Sequence, residues 1–248
     1  MLRFNFGVQI STSLISKKLC GTLYTIKQRK AFGDALLAHE KKESLIVYYD
    51  DTNYNLYCKR SMGRAPVGER AVVKLLPSKG ANLQLQCAIS LEIGLAHWAK
   101  RRGSIKMEVN SAFVNDVYDA VKEHGVYEEH FVGKTIVIVL DSAPAHNQTE
   151  DLVRDREDLE LLRFTHVQPH RRMLQCFKSK DQVLLSYEYS LNGCLPYGEM
   201  TERRMRLLEQ AADRCMPCID LRLVNRMARH CALSVAAAIR GEAMEYGT

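Results

Sequence analysis

Two runs of apolar residues in the sequence each lead directly into an aspartate. Leu45–Tyr49 precedes Asp50, and Thr135–Leu140 precedes Asp141. Both runs have the length of buried strands, and acids at the ends of neighbouring strands can converge on one point. Carboxylates in an apolar setting are costly unless they are paired or bind a metal, and their oxygens suit Mg²⁺ or Mn²⁺. Two such ions can activate a water for phosphodiester cleavage, but from spacing alone turn-forming acids are the better interpretation.

Basic residues concentrate in three stretches of the chain. The sequence has 35 Lys and Arg against 29 Asp and Glu, a net charge of +6, which permits a polyanionic partner without requiring one. Any one stretch is best explained as a solvated surface, but three together indicate a surface that faces phosphates. The candidate phosphate contacts are Lys17 and Lys18 in the first stretch, Lys59, Arg60, Arg64 and Arg70 in the second, and Arg101 and Arg102 in the third.

Composition excludes several classes of protein. The chain has 248 residues, 26% charged and 46% hydrophobic, which is typical of one globular domain and argues against disorder. No apolar run approaches the roughly 18 residues of a membrane span, and Met1–Gly7 is too short and too polar for a signal peptide. Eight cysteines do not make a disulfide scaffold, so we expect an intracellular protein with reduced thiols, not a secreted one.

The elements that must position the two aspartates form a mixed α/β pattern. Hydrophobic periodicity predicts a helix, a strand, a hairpin, a helix, a strand, a helix, a strand and C-terminal helices. On the last helix, Arg222, Arg226 and Arg229 share one face, which could contact phosphates, but a solvated stripe is the default interpretation. The predicted helices are Ser11–Leu19, Lys27–Glu43, Asn110–Glu123, Gln148–Glu157, Glu199–Arg214 and Leu221–Arg240. The predicted strands are Leu45–Tyr49, Leu83–Ser90, Leu95–Lys100, Lys134–Leu140 and Leu159–Phe164.

Three segments of the sequence resemble motifs of one protein family. Tyr48–Leu56 reads Y-Y-D-D-T-N-Y-N-L and resembles the first-aspartate motif of mariner-like DDE transposases, D-E-T-x-F/Y-N-L. Gly63–Ala71 reads G-R-A-P-V-G-E-R-A and resembles the G-R-A-x-x-G-x-R-A that follows. Asp141–His146 reads D-S-A-P-A-H and resembles the second-aspartate motif, D-N-A-P-A-H. The resemblance runs from about Phe32 to Arg163.

This resemblance implies a fold, a cofactor and a set of site residues. It implies a ribonuclease H-like mixed sheet with flanking helices, a divalent metal (Mg²⁺ or Mn²⁺), and DNA strand cleavage and transfer. By motif, Asp50 and Asp141 match the first two catalytic, metal-binding acids of the family. His146 is expected to position DNA or a water near the metal, and Asp51 stands where the family often has Glu.

The third acid of the family's site is missing. After the last strand the family reads roughly P-Y-S-P-x-x-N-P-I-E, and that Glu completes the site, whereas no acid occurs here between Glu160 and Asp181. A DNA sequence can be written that encodes S-P-M-C-N-P-I-E-G-C-F-S-V-L-K in one reading frame. The same DNA, read from two bases further on, encodes Thr165–Ser179. We therefore expect residues 165–195 to be frame-shifted and poorly packed. The nearest stand-ins for the lost Glu are Glu160, Asp181 and Glu188.

The first part of the chain has a resemblance of its own. Ile10–Leu19 resembles the end of a recognition helix in a helix-turn-helix unit, while an amphipathic helix packed on the domain is equally consistent. We therefore divide the chain into residues 1–28, a remnant of a DNA-binding region, and residues 29–248, the transposase-like domain.

The expected function follows from the resemblance and from the missing acid. We expect a nuclear or intracellular transposase-derived protein that binds DNA, forms a homodimer and is catalytically impaired. One alternative is an active endonuclease in which another acid, with Glu199 and Glu202 as further candidates, completes the site. Further alternatives are a non-enzymatic DNA-binding protein and the product of a decayed element.

Overall fold

The structure is a computed structural model, and it describes residues 2–3, 9–10, 12–55, 66–68, 82–141, 149–164 and 197–242. Within these ranges, no helix combines the length and the apolar composition that crossing a membrane requires. The strands are β1 (Leu2–Arg3), β2 (Gln9–Ile10), β3 (Leu45–Asn55), β4 (Asn82–Ser90), β5 (Gly94–Arg102), β6 (Ile136–Asp141) and β7 (Leu159–Phe164). The helices are α1 (Thr12–Lys41), α2 (Met107–Lys122), α3 (Gly125–His130), α4 (Thr149–Leu152), α5 (Tyr197–Cys215) and α6 (Leu221–Ile239), with a 3₁₀ turn at Met216–Cys218.

A five-stranded mixed sheet forms the centre of the described part, in the order β5-β4-β3-β6-β7. Strand β4 is antiparallel to both β3 and β5, while β6 lies parallel to β3 and β7 parallel to β6. Helices cover both faces, which confirms the predicted mixed α/β sheet with flanking helices. The short pair β1 and β2 forms a separate two-stranded sheet.

The two faces of β3 pack against different helices because successive side chains of a strand point to opposite sides. Leu45, Val47 and Tyr49 pack with α2 in one core cluster. Ile46 lies on the other face, in a cluster to which α1 contributes Phe32 and Leu36 and α6 contributes Ala238. Strand β3 is thus buried on both sides, as expected of a central strand.

Helices α5 and α6 cover the β4 end of the sheet. Leu83 and Leu85 pack with Met205 and Leu208 of α5, and Cys87 packs further along with Val224 of α6. The alternating apolar residues of β4 are therefore covered by apolar helix faces, and from Leu85 to Ser90 the strand is buried on both faces.

Two glycines bring α6 close to its neighbours. A Cβ atom at Gly33 of α1 would lie 2.8 Å from Cγ1 of Ile239, so the helices cross where α1 has no side chain. At the other end of α6, a Cβ atom at Gly94 would lie 3.5 Å from the backbone nitrogen of Leu221. Gly94 also has φ +85°, a conformation that L side chains rarely adopt.

Helix α1 differs from the sequence prediction. Two helices were expected, at Ser11–Leu19 and Lys27–Glu43, but one helix of 30 residues covers both segments. The intervening residues contain no proline, and Gly21 costs only about 1 kcal/mol relative to alanine within a helix. The predicted division between residues 28 and 29 therefore falls inside a continuous helix.

Three buried polar side chains join β3, β4 and α2. The Tyr49 hydroxyl donates to Oδ1 of Asn110 at 2.7 Å. The amide of Gln86 donates to the Tyr49 oxygen at 2.7 Å and to Oδ1 of Asn110 at 3.1 Å. All three residues are buried, so each bond compensates a group that has lost its water. The network fixes β3 against α2 one residue before Asp50.

We predict that Tyr49→Phe lowers the free energy of unfolding by about 1–2 kcal/mol, because it removes one hydroxyl from a network that water cannot enter. Urea denaturation measures the loss. Tyr118→Phe is the matched control: its hydroxyl donates to Asp158 at 2.6 Å in a half-exposed position, where water can replace it. Equal losses in the two variants would contradict a special role for the buried network.

Candidate active site

The register of the parallel strands places Asp50 level with Asp141. The pairing of β3 with β6 runs from Leu45 opposite Ile136 to Tyr48 opposite Val139. Continuing that register by two residues brings Asp50 opposite Asp141, the last residue of β6. Adjacent strands lie about 4.8 Å apart, so the two acids occupy neighbouring positions at the carboxyl end of β6. The backbone of Asp141 is described, whereas its side chain lies outside the described part.

Asp50 is half-buried, and its nearest cross-strand neighbour is a thiol. Its Oδ1 accepts a hydrogen bond from the backbone N–H of Asp51 at 2.9 Å. Across the antiparallel pair, Asp50 lies opposite Cys87, which is buried. Burial, and next the negative charge of Asp50, raises the pKa of the Cys87 thiol to about 12. Cys87 is therefore a neutral neighbour of the carboxylate at pH 7.

Asp51 lies on the opposite face of β3 from Asp50, because side chains alternate along a strand. Its register partner is Gln86, a member of the buried polar network. The supporting role predicted for Asp51 stays a prediction. Because its side chain is on the other face of β3, Asp51 would influence Asp50 through the backbone of the strand and not by direct contact.

Several predicted site residues fall outside the described ranges. His146 and the basic residues Lys59, Arg60, Arg64 and Arg70 lie between them. Lys17 and Lys18 belong to the first half of α1, where only the backbone is described. Their predicted roles remain predictions.

Two described candidates for a third acid, Glu160 and Glu202, lie away from the Asp50–Asp141 edge or are paired elsewhere, while Glu199 is exposed on α5 and its role stays a prediction. Glu160 is opposite Val137, four register positions before Asp141, which corresponds to about 13 Å along the strands. Its carboxylate lies 3.2 Å from Nε2 of His39. Among the side chains that the structure describes, no group of three His, Cys, Asp or Glu could hold a metal ion. Asp181 and Glu188 lie outside the described ranges, as do residues 165–195 as a whole.

Arg102, one of the predicted phosphate contacts, is held by two carboxylates of α5. Its guanidinium donates to Glu209 at 2.5 and 2.9 Å and to Glu202 at 2.8 and 3.2 Å. These hydrogen bonds raise the pKa of Arg102 and lower the pKa values of Glu209 and Glu202. The neighbouring Lys100 also pairs with a carboxylate of α5, donating to Asp213 at 2.5 Å. The side chain of Arg101 is exposed. We call Arg102, Glu202 and Glu209 the Arg102 clamp.

Sequence reasoning missed the Arg102 clamp. Glu202 and Glu209 are seven residues apart, so they lie on one face of α5. That spacing is the local signal, but it does not identify a partner about a hundred residues away. The clamp also occupies Glu202, which was a candidate third acid.

Comparisons with known proteins identify the fold. No protein-family model matches the chain, and no curated protein matches it in sequence. The structure of the Mos1 mariner paired-end complex with Mn matches with a TM-score of 0.58 and 15% identity, over 90% of this chain and 64% of that chain. The catalytic domain of Mos1 mariner transposase matches with a TM-score of 0.54 and 12% identity, over 90% and 96%.

A further structure, the Mos1 transposase catalytic domain with Raltegravir and Mg, has a TM-score of 0.52 and 13% identity. At these identities the comparisons bear on the fold alone. The chain thus has the fold of a mariner-like transposase catalytic domain, which confirms the ribonuclease H-like prediction. It spans 64% of the length of the transposase in the paired-end complex.

We predict that Arg102→Gln has a lower midpoint of thermal unfolding than the parent at pH 7. This difference in midpoint should disappear at acidic pH. In the parent, the pKa values of Glu202 and Glu209 lie below their ordinary value of 4.5. The two carboxylates therefore stabilise the fold fully above pH 4.5, and this stabilisation is lost as the pH falls through their lowered pKa values in the folded state. Calorimetric scans at several pH values measure both midpoints.

Arg206→Gln is the matched control for that experiment, because among the described carboxylates Arg206 pairs with Glu202, at 2.9 Å, and not with Glu209, so it is expected to give the smaller difference. A difference between parent and Arg102→Gln that stays constant down to low pH would rule out the clamp as its source.

Proposed function

We propose that the chain is a transposase-derived DNA-binding protein whose DNA-cleaving chemistry is impaired. The observation that carries this proposal is the level placement of Asp50 and Asp141 in a sheet with the fold of the Mos1 catalytic domain. The family resemblance of the residues around both acids supports the same function, since the two lines of evidence coincide at Asp50 and Asp141. Asp141 is the last residue of β6 as expected, whereas Asp50 lies within β3, which continues to Asn55 instead of ending at Tyr49.

The two aspartates are the residues that would hold a divalent metal. Carboxylate oxygens are the ligands that Mg²⁺ and Mn²⁺ prefer, and Mos1 structures with each of these metals have the same fold. A bound metal of this kind supplies an activated water and stabilises the leaving oxygen of a phosphodiester. Asp50 and Asp141 give only two of the three acids that the family uses, and no acid follows between Glu160 and Asp181. The incomplete ligand set is the reason for the proposed impairment.

DNA is the proposed partner. The chain carries a net charge of +6, and structures of similar fold include a Mos1 paired-end complex with the left transposon end, at a TM-score of 0.58, and a strand transfer complex, at 0.56. Homodimerisation and a nuclear or other intracellular location belong to the same proposal. The frame shift over residues 165–195 is also part of this proposal. Coding DNA that cannot encode N-P-I-E in the adjacent reading frame would contradict it.

We predict that Asp50→Asn and Asp141→Asn each weaken Mn²⁺ binding by about tenfold or more, since even the supporting partners of metal ligands contribute that much. Isothermal titration calorimetry of the full chain measures the affinity. Glu160→Gln is the matched control, because its carboxylate faces His39 and not the two aspartates, and it should bind as the parent does. Unchanged affinity in both aspartate variants would refute the two-acid site.

We predict that replacing Thr165–Ser179 with S-P-M-C-N-P-I-E-G-C-F-S-V-L-K restores plasmid nicking with Mn²⁺, while the parent nicks weakly or not at all. Adding Asp141→Ala to the restored chain should abolish the activity, because it removes a metal ligand. Gel analysis of supercoiled plasmid measures nicking. Asp141-dependent nicking by the parent would instead favour an active endonuclease with a substitute acid, and inactivity of the restored chain would favour the non-enzymatic or decayed alternatives.

A further inference from the structure

Three arginines form an exposed stripe along α6. Arg222, Arg226 and Arg229 are spaced by four and three residues, so at 100° per residue they fall within an arc of about 60°. All three are exposed. Seven residues of helix span about 10 Å. We call these residues the α6 arginine stripe.

The opposite side of α6 attaches the stripe to the sheet. Val224 packs in the cluster of Cys87, while Val235 and Ala238 pack against Val137 and its neighbours. These three α6 residues lie roughly 160–220° around the helix from Arg222. Burial of one side therefore directs the stripe away from the protein. Cys87 is the register partner of Asp50, so α6 covers the face of the sheet that carries Asp50.

Unlike several other cations in the described part, the arginines of the stripe are not paired with a described carboxylate. Helix α6 contains no Asp or Glu, and the side chain of its N-cap, Asp220, accepts the backbone N–H of Leu223 at 2.7 Å. Within the described ranges, no carboxylate forms an ion pair with any arginine of the stripe. Arg102, Lys100, Arg206 and Arg240, in contrast, each pair with a described carboxylate.

Keeping three like charges on one helix face has a cost. Like charges at a spacing of four residues destabilise a helix, and a polyanion laid along the stripe would remove that repulsion. Guanidinium groups bind phosphate oxygens through two parallel hydrogen bonds, which suits a row of phosphates. Along the axis of duplex DNA, the span of about 10 Å corresponds to the rise of about three base pairs.

We infer that the α6 arginine stripe is a sequence-independent contact for the phosphate backbone of duplex DNA. This inference rests on the proposed DNA binding and assigns it to a surface other than the basic stretches that the sequence emphasised. DNA lying along the stripe is on the side of the sheet that carries Asp50, and the Arg102 clamp contributes less because its guanidinium already holds two carboxylates.

The test is a salt titration of DNA affinity with the full chain. Fluorescence anisotropy with a labelled duplex gives the slope of log affinity against log salt, which changes by about 0.9 for each phosphate contact. The triple variant Arg222→Gln, Arg226→Gln, Arg229→Gln should reduce the magnitude of the slope by about 2–3. The matched control is Lys41→Gln, Lys42→Gln, Arg154→Gln, which removes the same charge from other exposed positions and should retain most of the slope.

Each outcome decides the inference. Equal loss of slope in the two triple variants would overturn it, because net charge alone would then explain binding. An unchanged slope in the stripe variant, with a parent that binds DNA, would overturn the stripe and leave the proposed function standing. A parent that does not bind DNA would overturn both. If circular dichroism shows that the triple variant is unfolded, Arg226→Gln alone serves, with an expected change of about 0.9.

Discussion

The parallel pairing of β3 with β6 is the constraint on which the remaining arrangement depends. Side chains alternate along each strand, so a slip of one residue would turn every core side chain to the wrong face. Val47 and Ile138 are buried on one face of the pair, and Ile46 and Val137 on the other. Because both faces are filled by helices, only one register buries all four. That register also sets Asp50 level with Asp141, so packing of the core and placement of the acids have one cause.

Much of the sheet could be predicted from local sequence. Leu159–Phe164 has the predicted bounds, and the run before Asp141 is a central strand as expected. Helix α2 begins at Met107, three residues before the predicted start, and α4 covers only Thr149–Leu152 of a longer predicted helix. Such ends depend on capping and on contacts with other elements, which periodicity does not report.

The candidate site was predictable in part, for a physical reason. An apolar run followed by an acid is a local signal, and it located Asp50 and Asp141. The pairing of Asp50 with Cys87, and of Arg102 with Glu202, joins residues distant in sequence through strand register and helix docking. No local pattern encodes those partners. The sequence therefore favoured a phosphate contact at Arg102 and a solvated face for the α6 arginines, although the fold pairs Arg102 with two acids and leaves the α6 arginines unpaired among the described residues.

Helix α6 is seated at both ends on glycine. Gly33 receives Ile239 near its C-terminal end, and Gly94 receives the backbone of Leu221 at its start. At both supports α6 rests on the main chain of a glycine: through the Ile239 side chain at Gly33, and through its own backbone at Gly94. Replacing Gly33 would push one end of α6 outward, because a Cβ atom there would meet Ile239 at 2.8 Å, while replacing Gly94 would strain the backbone on which the other end rests. The tilt of α6 across the sheet, and with it the direction of its outer face, therefore depends on two residues that lie outside that helix.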